Sequence, residues 1–333
     1  MTERPILVVG RNGQLARCLR DLGAVHGMPI VAHGRSELDL EAHGELRRAI
    51  DRIAPSVIIN AAAYTAVDLA ESEVAKAFIV NRDGPAALAD VAWRMNIPFV
   101  HVSTDYVFDG TKSEAYDECD IPAPLNAYGA SKLAGEAAVL ATHPLATVIR
   151  TSWLYSPHGS NFVRTMLRLR ETKPVVRVVQ DQCGNPTSAL DLASAILQLA
   201  GQLLTHDRRA MAGIFHLAGQ GETTWHGLAQ AIFDLLARNG MQVPRLEAIT
   251  TEQYPTAARR PRNSRLDSSK AERVLGIRLP AWPCSLKACL DQLVEGEIDA
   301  ERNRADPELR RVSELVHDRP PQRVDGSALQ GTR

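Results

Sequence analysis

The first half of the chain alternates short apolar runs with longer amphipathic segments, and this alternation restricts the possible folds more than any other feature. The runs are rich in Val and Ile and end in small or polar residues, as buried strands do. Strands that alternate with helices predict a parallel sheet with helices on both faces, an α/β fold of the doubly wound, Rossmann type. The predicted strands are residues 6–10, 29–33, 57–60, 98–103 and 146–150, and the predicted helices are residues 13–22, 40–53, 82–95 and 128–141.

The second half is less regular, and proline and arginine cluster around residues 254–265. We expect a dinucleotide-binding domain over residues 1–155 and a smaller, mainly substrate-binding lobe over residues 156–295, which also adds strands to the sheet. Residues 296–333 are charged and proline-rich and predict a flexible tail. The later predicted elements are helices from residue 162 and at 190–204 and 224–239, and strands at 175–179 and 213–217.

The composition argues against several classes of protein. The net charge of the 333-residue chain is −1, so no overall field attracts it to nucleic acid or to anionic lipid. Its five cysteines have no CxxC spacing, which argues against a disulfide framework or a zinc site and favours a reducing compartment. The first residues lack the pattern of a signal peptide, and no apolar run is long enough to span a bilayer. We therefore expect a soluble, cytoplasmic protein that binds neither nucleic acid nor membrane.

The turn after the first strand has the spacing of a phosphate-binding turn. Gly10 and Gly13 lie three residues apart, and Ala16 stands where a third small residue is expected. Glycine lets the backbone turn sharply and approach a pyrophosphate, while the N-terminus of the next helix offers free N–H groups. An ordinary βα turn without a ligand is the alternative. The strand-turn-helix context favours a bound dinucleotide.

The segment after the second strand bears on the choice of cofactor. No acidic residue stands at positions 31–36, where one would bind the ribose hydroxyls of NAD. Arg35 lies there instead and predicts contact with the 2′-phosphate of NADP, although a solvated loop arginine is the alternative. We expect NADPH as the cofactor, with NADH as a second usable one. Asp39 and Leu40 would border the adenine, or Asp39 would cap the next helix.

Tyr128 and Lys132 form the most specific chemical signal in the chain. Residues four apart on a helix share one face. A nearby ammonium favours phenolate over phenol, so we expect Lys132 to lower the pKa of Tyr128, which could then donate a proton to a ketone. An accidental surface pair is the alternative. Thr104 argues against it, because it follows the fourth strand, where its hydroxyl can reach the same ketone oxygen.

Taken together, these motifs resemble the dTDP-4-dehydrorhamnose reductase family of the extended short-chain dehydrogenase/reductase superfamily. The resemblance covers about residues 6–290, most of the chain. Two of its segments, residues 60–68 and 104–110, differ from those of most sugar epimerases and dehydratases of the superfamily. The full set of segments that carry it is residues 10–16, 60–68, 103–110, 128–136, 150–155, 181–187 and 260–267.

This resemblance implies an NAD(P)H-dependent reduction of the C4 ketone of dTDP-4-dehydro-L-rhamnose to dTDP-L-rhamnose, the last step of dTDP-rhamnose synthesis for cell-surface polysaccharide. It places the catalytic triad of the family on Thr104, Tyr128 and Lys132. The implied substrate contacts are Val67, Thr104, Asp105, Tyr106, Tyr128 and Trp153. The implied cofactor contacts are Gly10, Asn12, Gly13, Gln14, Leu15, Asp39, Leu40, Ala61, Ala62, Ala63, Tyr128 and Lys132.

Some of these side chains also have a purely structural interpretation. Trp153 offers a flat face for a sugar or for thymine, and its position just past the fifth strand favours the site over the core. His101 and His216 lie within predicted strands and are expected to be packed core histidines. Arginines at positions 164, 168 and 170 share a helix and are expected to form a solvated face.

The same residues leave two other functions open and bear on a metal site. The alternatives are a 4-ketoreductase for another dTDP-deoxysugar and a non-catalytic NADP-binding regulatory subunit, and the intact triad argues against the second. Some members of the family dimerise around a magnesium ion held by glutamates. The corresponding positions hold Cys18 and Leu190, which cannot replace carboxylates, and Asp191 is turned away by one helical step. We expect no magnesium, and a monomer or a dimer that no metal bridges.

Overall fold

The computed structural model describes residues 4–305, which form an α/β fold. The strands are β1 (Ile6–Val9), β2 (Ile30–His33), β3 (Val57–Asn60), β4 (Phe99–Thr104), β5 (Thr147–Thr151), β6 (Leu154–Tyr155), β7 (Val175–Val179), β8 (Cys183–Gly184), β9 (Thr187–Ser188), β10 (Gly213–His216), β11 (Thr223–Thr224), β12 (Arg245–Ile249) and β13 (Asn263–Ser264). The helices are α1 (Gln14–Val25), α2 (His43–Ile53), α3 (Val67–Ala70), α4 (Val74–Phe78), α5 (Gly84–Arg94), α6 (Ala127–Thr142), α7 (Phe162–Thr172), α8 (Ala189–Thr205), α9 (Trp225–Arg238), α10 (Ser269–Leu275) and α11 (Trp282–Ala305).

A six-stranded parallel sheet is the centre of the fold, with strand order β2-β1-β3-β4-β5-β10. The five strands predicted in the first half are present, and β10 from the second half pairs with β5. Strand β2 lies on one side of β1, at the edge of the sheet, and β3 lies on the other side of β1. Ligands of doubly wound sheets bind outside the carboxyl ends of the strands at such a reversal, here between β1 and β3. The predicted fold class is confirmed.

Helices cover both faces of the sheet because alternate strand residues point to opposite sides. On one face, Val8 and Ile59 pack with α1 and α8; on the other, Leu7 and Ile58 pack with α2, α5 and α6. All four strand residues are fully buried. This double coverage explains why the strands are almost continuously apolar, since burying one such side chain contributes about 1.5–3 kcal/mol.

Two helices of the first half start differently from the sequence-based expectation. Helix α2 begins at His43 rather than at residue 40, because Leu40 is buried in the core and the carboxylate of Asp39 accepts a hydrogen bond from the Glu41 N–H, closing a turn. A π-helical turn over Ile79–Asp83 precedes α5, where one continuous helix was predicted. The short helices α3 and α4 were not predicted at all.

The second half builds small sheets beyond the large one. Strand β8 pairs with β11 and β13, β7 pairs with β12, and β6 pairs with β9. Two-residue strands such as β13 have no periodicity to detect. Contacts from distant parts of the chain hold β13, since the Asn263 amide donates to the carbonyls of Lys112 and Glu114.

The described residues up to Cys289 form one compact unit, and those from Leu290 onward belong to a second. Helix α11 continues to Ala305, so residues 296–305 of the expected tail are helical. The rest of that expected tail, residues 306–333, lies outside the described residues. Within the described part of the chain, no helix is both long and apolar enough to cross a membrane.

Candidate active site

Two neighbouring cavities lie at the carboxyl ends of the strands. The larger has a volume of about 520 Å³ and the smaller about 180 Å³, and Ala63 lines both. Every residue that the sequence assigned to cofactor or substrate lines one of them. The larger cavity is lined by Asn12, Gly13, Gln14, Leu15, Ala61, Val67, Thr104, Asp105, Tyr106, Tyr128, Lys132 and Trp153, and the smaller by Gly10, Arg35, Asp39, Leu40 and Ala62.

The glycine turn after β1 has the geometry that a dinucleotide requires. Gly10 has φ +112°, and a Cβ there would lie 2.8 Å from the amide nitrogen of Ala62, so only glycine fits. Gly13 precedes α1 and has no side chain to cap its first turn, which leaves helical N–H groups available to a phosphate. The Gln14 side chain is used elsewhere: its Oε1 accepts hydrogen bonds from Ser156 and Asn161. Gln14 Oε1 is thus occupied by these two donors, and the backbone of Gln14 at the start of α1 can face a phosphate.

Arg35 lies at the smaller cavity, but its guanidinium already has acidic partners. Its Nη2 donates to the Glu41 carboxylate at 2.5 Å, and its Nε lies 3.9 Å from Asp39. The side chain is 63% exposed. A 2′-phosphate would have to compete with these carboxylates for Arg35. The end of β2 has no acid, as the sequence indicated, but Asp39 and Glu41 of the next loop pair with Arg35, which was not predicted.

Local packing explains the residues around Tyr128. Helix α6 starts next to Asn126, whose side-chain oxygen accepts a hydrogen bond from the Gly129 N–H at 2.8 Å. A Cβ on Gly129 would lie 2.1 Å from the carbonyl oxygen of Tyr106, so glycine is required directly after Tyr128. The rings of Tyr106 and Tyr128 meet edge to face, with centroids 5.8 Å apart. Helix α6 thereby presents Tyr128 and Lys132 to the cavity wall.

The pKa of Tyr128 differs from the sequence-based expectation. Burial raises the pKa of Tyr128 to about 12, and a hydrogen bond with Thr104 opposes this rise only in part. Burial also lowers the pKa of Lys132 to about 8. The expectation that Lys132 lowers the pKa of Tyr128 is wrong for the protein without ligands, because desolvation outweighs any influence of the lysine. Tyr128 is protonated at neutral pH, as a proton donor must be.

A buried polar network lies behind Lys132. The Asn60 side-chain oxygen accepts from the Ala62 N–H, so its amide nitrogen faces His101 Nδ1 at 3.1 Å and donates to it. A neutral His101 then carries its proton on Nε2, which lies 3.4 Å from Lys132 Nζ. Nζ itself donates to the Val102 carbonyl at 2.6 Å. His101 is a core histidine, as predicted, and it also contacts the lysine of the predicted triad.

Thr104 and Asp105 end the fourth strand inside the cavity. Thr104 Oγ1 donates to Asp105 Oδ1 at 2.9 Å and accepts from the Tyr106 N–H. Burial raises the pKa of Asp105 to about 6, so protonation of this carboxyl is possible near neutral pH. Burial also raises the pKa of Tyr106 above its usual value.

Trp153 joins the cavity and is part of an aromatic stack. It has φ +45° and is 9% exposed, and its indole lies face to face with that of Trp225, with centroids 3.6 Å apart. A Cβ on Gly184 would lie 2.4 Å from the indole of Trp153, so glycine is required behind it. Trp225 also lines the cavity, although no motif in the sequence predicted it there. Its position at the start of a predicted helix in the second half was the only available signal.

Other lining residues were also missed. Thr151 ends β5 at the carboxyl edge of the sheet, and its buried hydroxyl finds no hydrogen-bond partner among the described residues. Its place at the end of a strand could have identified it. The further lining residues absent from the sequence-based set include Thr65, Ser152, Tyr155, Phe162 and Leu228.

The positions considered for a magnesium ion lie in and beside the core. Cys18 is fully buried, and Leu190 packs against the same apolar cluster. Asp191 Oδ2 accepts a hydrogen bond from Ser285 at 2.5 Å. Among the described residues, no group of three or more His, Cys, Asp or Glu side chains is arranged to hold a metal. The absence of magnesium remains a prediction.

Comparison with known proteins tests the resemblance. The chain matches the RmlD substrate binding domain family over residues 4–295. The chain belongs to the dTDP-4-dehydrorhamnose reductase family. A member of the family from Sinorhizobium fredii is 46% identical over 278 residues, which cover 83% of this chain and 93% of that protein. A dTDP-4-keto-6-deoxy-D-glucose reductase from Streptomyces niveus is 41% identical over 263 residues, 79% of this chain and 88% of that one.

Solved structures of dTDP-4-dehydrorhamnose reductases agree with the fold. The protein from Clostridium acetobutylicum aligns with a TM-score of 0.80 at 36% identity, covering 87% of this chain and 99% of that one. The Bacillus anthracis protein, solved in complex with NADP, aligns with a TM-score of 0.80 at 34% identity, covering 87% and 100%. The predicted family and the predicted enzyme class, an oxidoreductase, are confirmed.

Proposed function

We propose that this chain reduces the C4 ketone of dTDP-4-dehydro-L-rhamnose to dTDP-L-rhamnose with NADPH, the final step of dTDP-rhamnose synthesis. One observation carries the proposal: the side chains of Thr104, Tyr128 and Lys132 line a single cavity that also reaches the glycine turn. A proton donor and a hydroxyl for the ketone oxygen thus lie in the same cavity as the turn that would bind the dinucleotide. The identity of the substrate is inferred from the family to which the chain belongs.

The cofactor would lie along the carboxyl ends of β1 and β3. Gly10, Asn12, Gly13, Gln14 and Leu15 would hold the pyrophosphate through backbone N–H groups and the N-terminus of α1. Residues 61–63 would line the adjacent stretch of the cofactor. Asp39 and Leu40 would border the adenine, and Arg35 would reach a 2′-phosphate after release from Glu41. When bound, the cofactor supplies the hydride.

Tyr128 is the proposed general acid. Its pKa of about 12 keeps the phenol protonated at neutral pH, so it can donate a hydrogen bond and then its proton to the ketone oxygen. Thr104 is the proposed second hydrogen-bond donor to the same oxygen. Its hydroxyl must turn away from Asp105 for this, which protonation of Asp105, with a pKa of about 6, would favour.

Lys132 has two proposed tasks. It would bind the nicotinamide ribose, and its positive charge would stabilise the phenolate that forms when Tyr128 loses its proton. The carbonyl of Val102 holds Nζ in place, and the His101 ring limits where it can move. The lysine is therefore positioned before any ligand binds.

The substrate contacts implied by the family all lie within residues 1–155, and the second half of the chain is proposed to add Phe162, Trp225 and Leu228 to them. Trp153, Val67, Asp105 and Tyr106 would surround the deoxysugar or the thymine, and residues 156–295 would mainly form the substrate-binding lobe. A cytoplasmic location is supported by the five cysteines, all of which are free. We propose a monomer, or a dimer that no magnesium bridges; a dimer that dissociates on treatment with EDTA in light scattering would contradict this.

A second substrate has support from one relative. The similarity to the Streptomyces niveus dTDP-4-keto-6-deoxy-D-glucose reductase favours a 4-ketoreductase for another dTDP-deoxysugar as the alternative. A purely regulatory, NADP-binding role fits poorly, because all three side chains of the proposed triad are present and line the cavity.

The test is to supply dTDP-4-dehydro-L-rhamnose and dTDP-4-keto-6-deoxy-D-glucose separately, each generated enzymatically, and to follow NADPH absorbance. We expect oxidation of NADPH with the first substrate and a product that co-elutes with dTDP-L-rhamnose. Faster turnover of the second substrate would establish the alternative. Failure of both substrates, with NADPH still bound, would favour the regulatory role.

A further inference from the structure

The large cavity is short of positive charge for the substrate proposed above. A dTDP-sugar carries a diphosphate, and anions of this kind are held by charge-assisted hydrogen bonds, most often from arginine. Among the described residues that line the cavity, Lys132 is the only Lys or Arg side chain, and it is buried and bonded to the Val102 carbonyl. A cation that binds the diphosphate would therefore come from the rim of the cavity.

One segment of the proline- and arginine-rich region, residues 258–262, reaches that rim. The Ala258 N–H donates to Asp68, next to Val67. The Asn126 amide, at the start of the helix that bears Tyr128, donates to the Arg259 carbonyl at 2.8 Å. The segment also packs so closely on the loop after β4 that a Cβ on Gly110 would lie 2.6 Å from Pro261. It is thus attached to three elements that form the substrate side of the cavity.

Arg260 extends from this segment into the same region. Its Nη1 and Nη2 donate to the two oxygens of Asp68, at 3.2 and 2.9 Å. Its guanidinium also interacts with Tyr106, which lines the cavity and contacts the ring of Tyr128. The Arg260 side chain is 24% exposed and the Asp68 side chain 47% exposed, so a ligand can reach this pair.

We propose that Arg260 binds the diphosphate of the nucleotide-sugar and that Asp68 holds the guanidinium in place until the ligand arrives; this inference rests on the proposed function. Arginine has five donors, so one edge can stay on Asp68 while another binds phosphate oxygens. Two arginines that follow Arg260 in the sequence are less suitable for binding the diphosphate. Arg262 is 71% exposed and pairs with Glu252, and Arg265 bonds Glu222 and the Ser113 carbonyl.

The test compares two variants that break the same ion pair, Arg260→Met and Asp68→Asn. Thymidine, dTMP and dTDP are titrated by calorimetry into each protein saturated with NADP⁺. For Arg260→Met we expect dTDP to bind about 10- to 100-fold more weakly and thymidine to bind within about twofold of the wild type, since only the phosphate contacts are lost. For Asp68→Asn we expect dTDP binding to be unchanged or tighter, because the Asn side-chain oxygen can still accept from the guanidinium and a negative charge beside the diphosphate is removed. Arg260→Lys should recover part of the affinity.

Arg262→Met is the matched control, because it removes a neighbouring, ion-paired arginine that lies in solvent; it should change none of the three affinities. Thermal unfolding of each variant shows that it is folded.

Equal losses of dTDP affinity in Arg260→Met and Asp68→Asn, or a parallel loss of thymidine binding, would mean that the ion pair is structural and would overturn the proposal. Unchanged dTDP binding in Arg260→Met would also overturn it. A wild type that binds dTDP but reduces neither 4-keto sugar would instead contradict the proposed function, and the comparison of the variants would still decide the role of Arg260.

Discussion

Replacing Tyr128 by Phe should remove most of the activity while keeping the fold and cofactor binding. The change deletes one hydroxyl that lines the cavity and keeps the ring, which packs edge to face on Tyr106. Loss of a general acid costs about 10²- to 10⁴-fold in rate, or about 2.7–5.4 kcal/mol of transition-state stabilisation at 1.36 kcal/mol per tenfold. This hydroxyl also hydrogen-bonds Thr104, and losing that bond costs about 0.5–1.5 kcal/mol of folding free energy.

The assay measures kcat by NADPH absorbance at saturating dTDP-4-keto sugar, and the NADPH dissociation constant by fluorescence. We expect kcat to fall at least a hundredfold and the dissociation constant to change less than about threefold. The matched control is Tyr116→Phe. Its hydroxyl donates to Asp109 at 2.7 Å and does not line the cavity, so the variant should lose stability and keep kcat. A Tyr128→Phe enzyme with near-native kcat would refute the assignment of Tyr128 as proton donor.

Three further sites give independent predictions. Arg35→Ala should weaken NADPH several-fold and NADH less in binding titrations; equal losses would show that Arg35 does not bind the 2′-phosphate. Glu136→Gln should destabilise the fold by about 3–5 kcal/mol in urea unfolding, because it leaves the buried guanidinium of Arg150, now held at 2.7 and 2.9 Å, without its counter-charge. The exposed Glu272→Gln should change the unfolding free energy by less than about 0.5 kcal/mol, and a similar effect of both variants would contradict this reasoning. Burial raises the pKa of Asp105 to about 6, so the native state binds the proton more tightly than the unfolded state and stability falls as pH rises from about 4 to 6. Asp105→Asn should lack this fall, and urea unfolding of both proteins at pH 4.5 and 7 checks it: a difference in stability that does not change with pH would contradict the raised pKa.

The large sheet and the positions of the main motifs could be predicted because they depend on neighbouring residues. Apolar runs of β-branched residues indicate strands, and the glycine spacing after β1 reports a turn whose backbone excludes a Cβ at Gly10. Tyr128 and Lys132 share a helix face through their spacing alone. Thr104 was placed because the end of a parallel strand defines one edge of the sheet.

The less periodic elements could not be predicted in this way. Strand β13 and helices α3 and α4 are too short to show a period, and distant residues hold them. Helix α2 begins at His43 and not at the predicted residue 40 because Leu40 is buried in the core. This tertiary contact overrides the local helical pattern. The same limit applies to Trp225, which lines the cavity and stacks on Trp153 through tertiary contacts.

The sequence by itself determined the α/β architecture through its periodicity, the glycine turn and the Tyr128–Lys132 pair through their spacing, and the family through its resemblance to known motifs. Only the tertiary structure decided the electrostatics of that site. Burial raises the pKa of Tyr128 where the Lys132 spacing alone suggested a decrease, and acids from the following loop pair with Arg35. Arg260 reaches Asp68 across most of the chain. Desolvation and ion pairing depend on which segments the fold brings together, and no local pattern in the sequence carries that information.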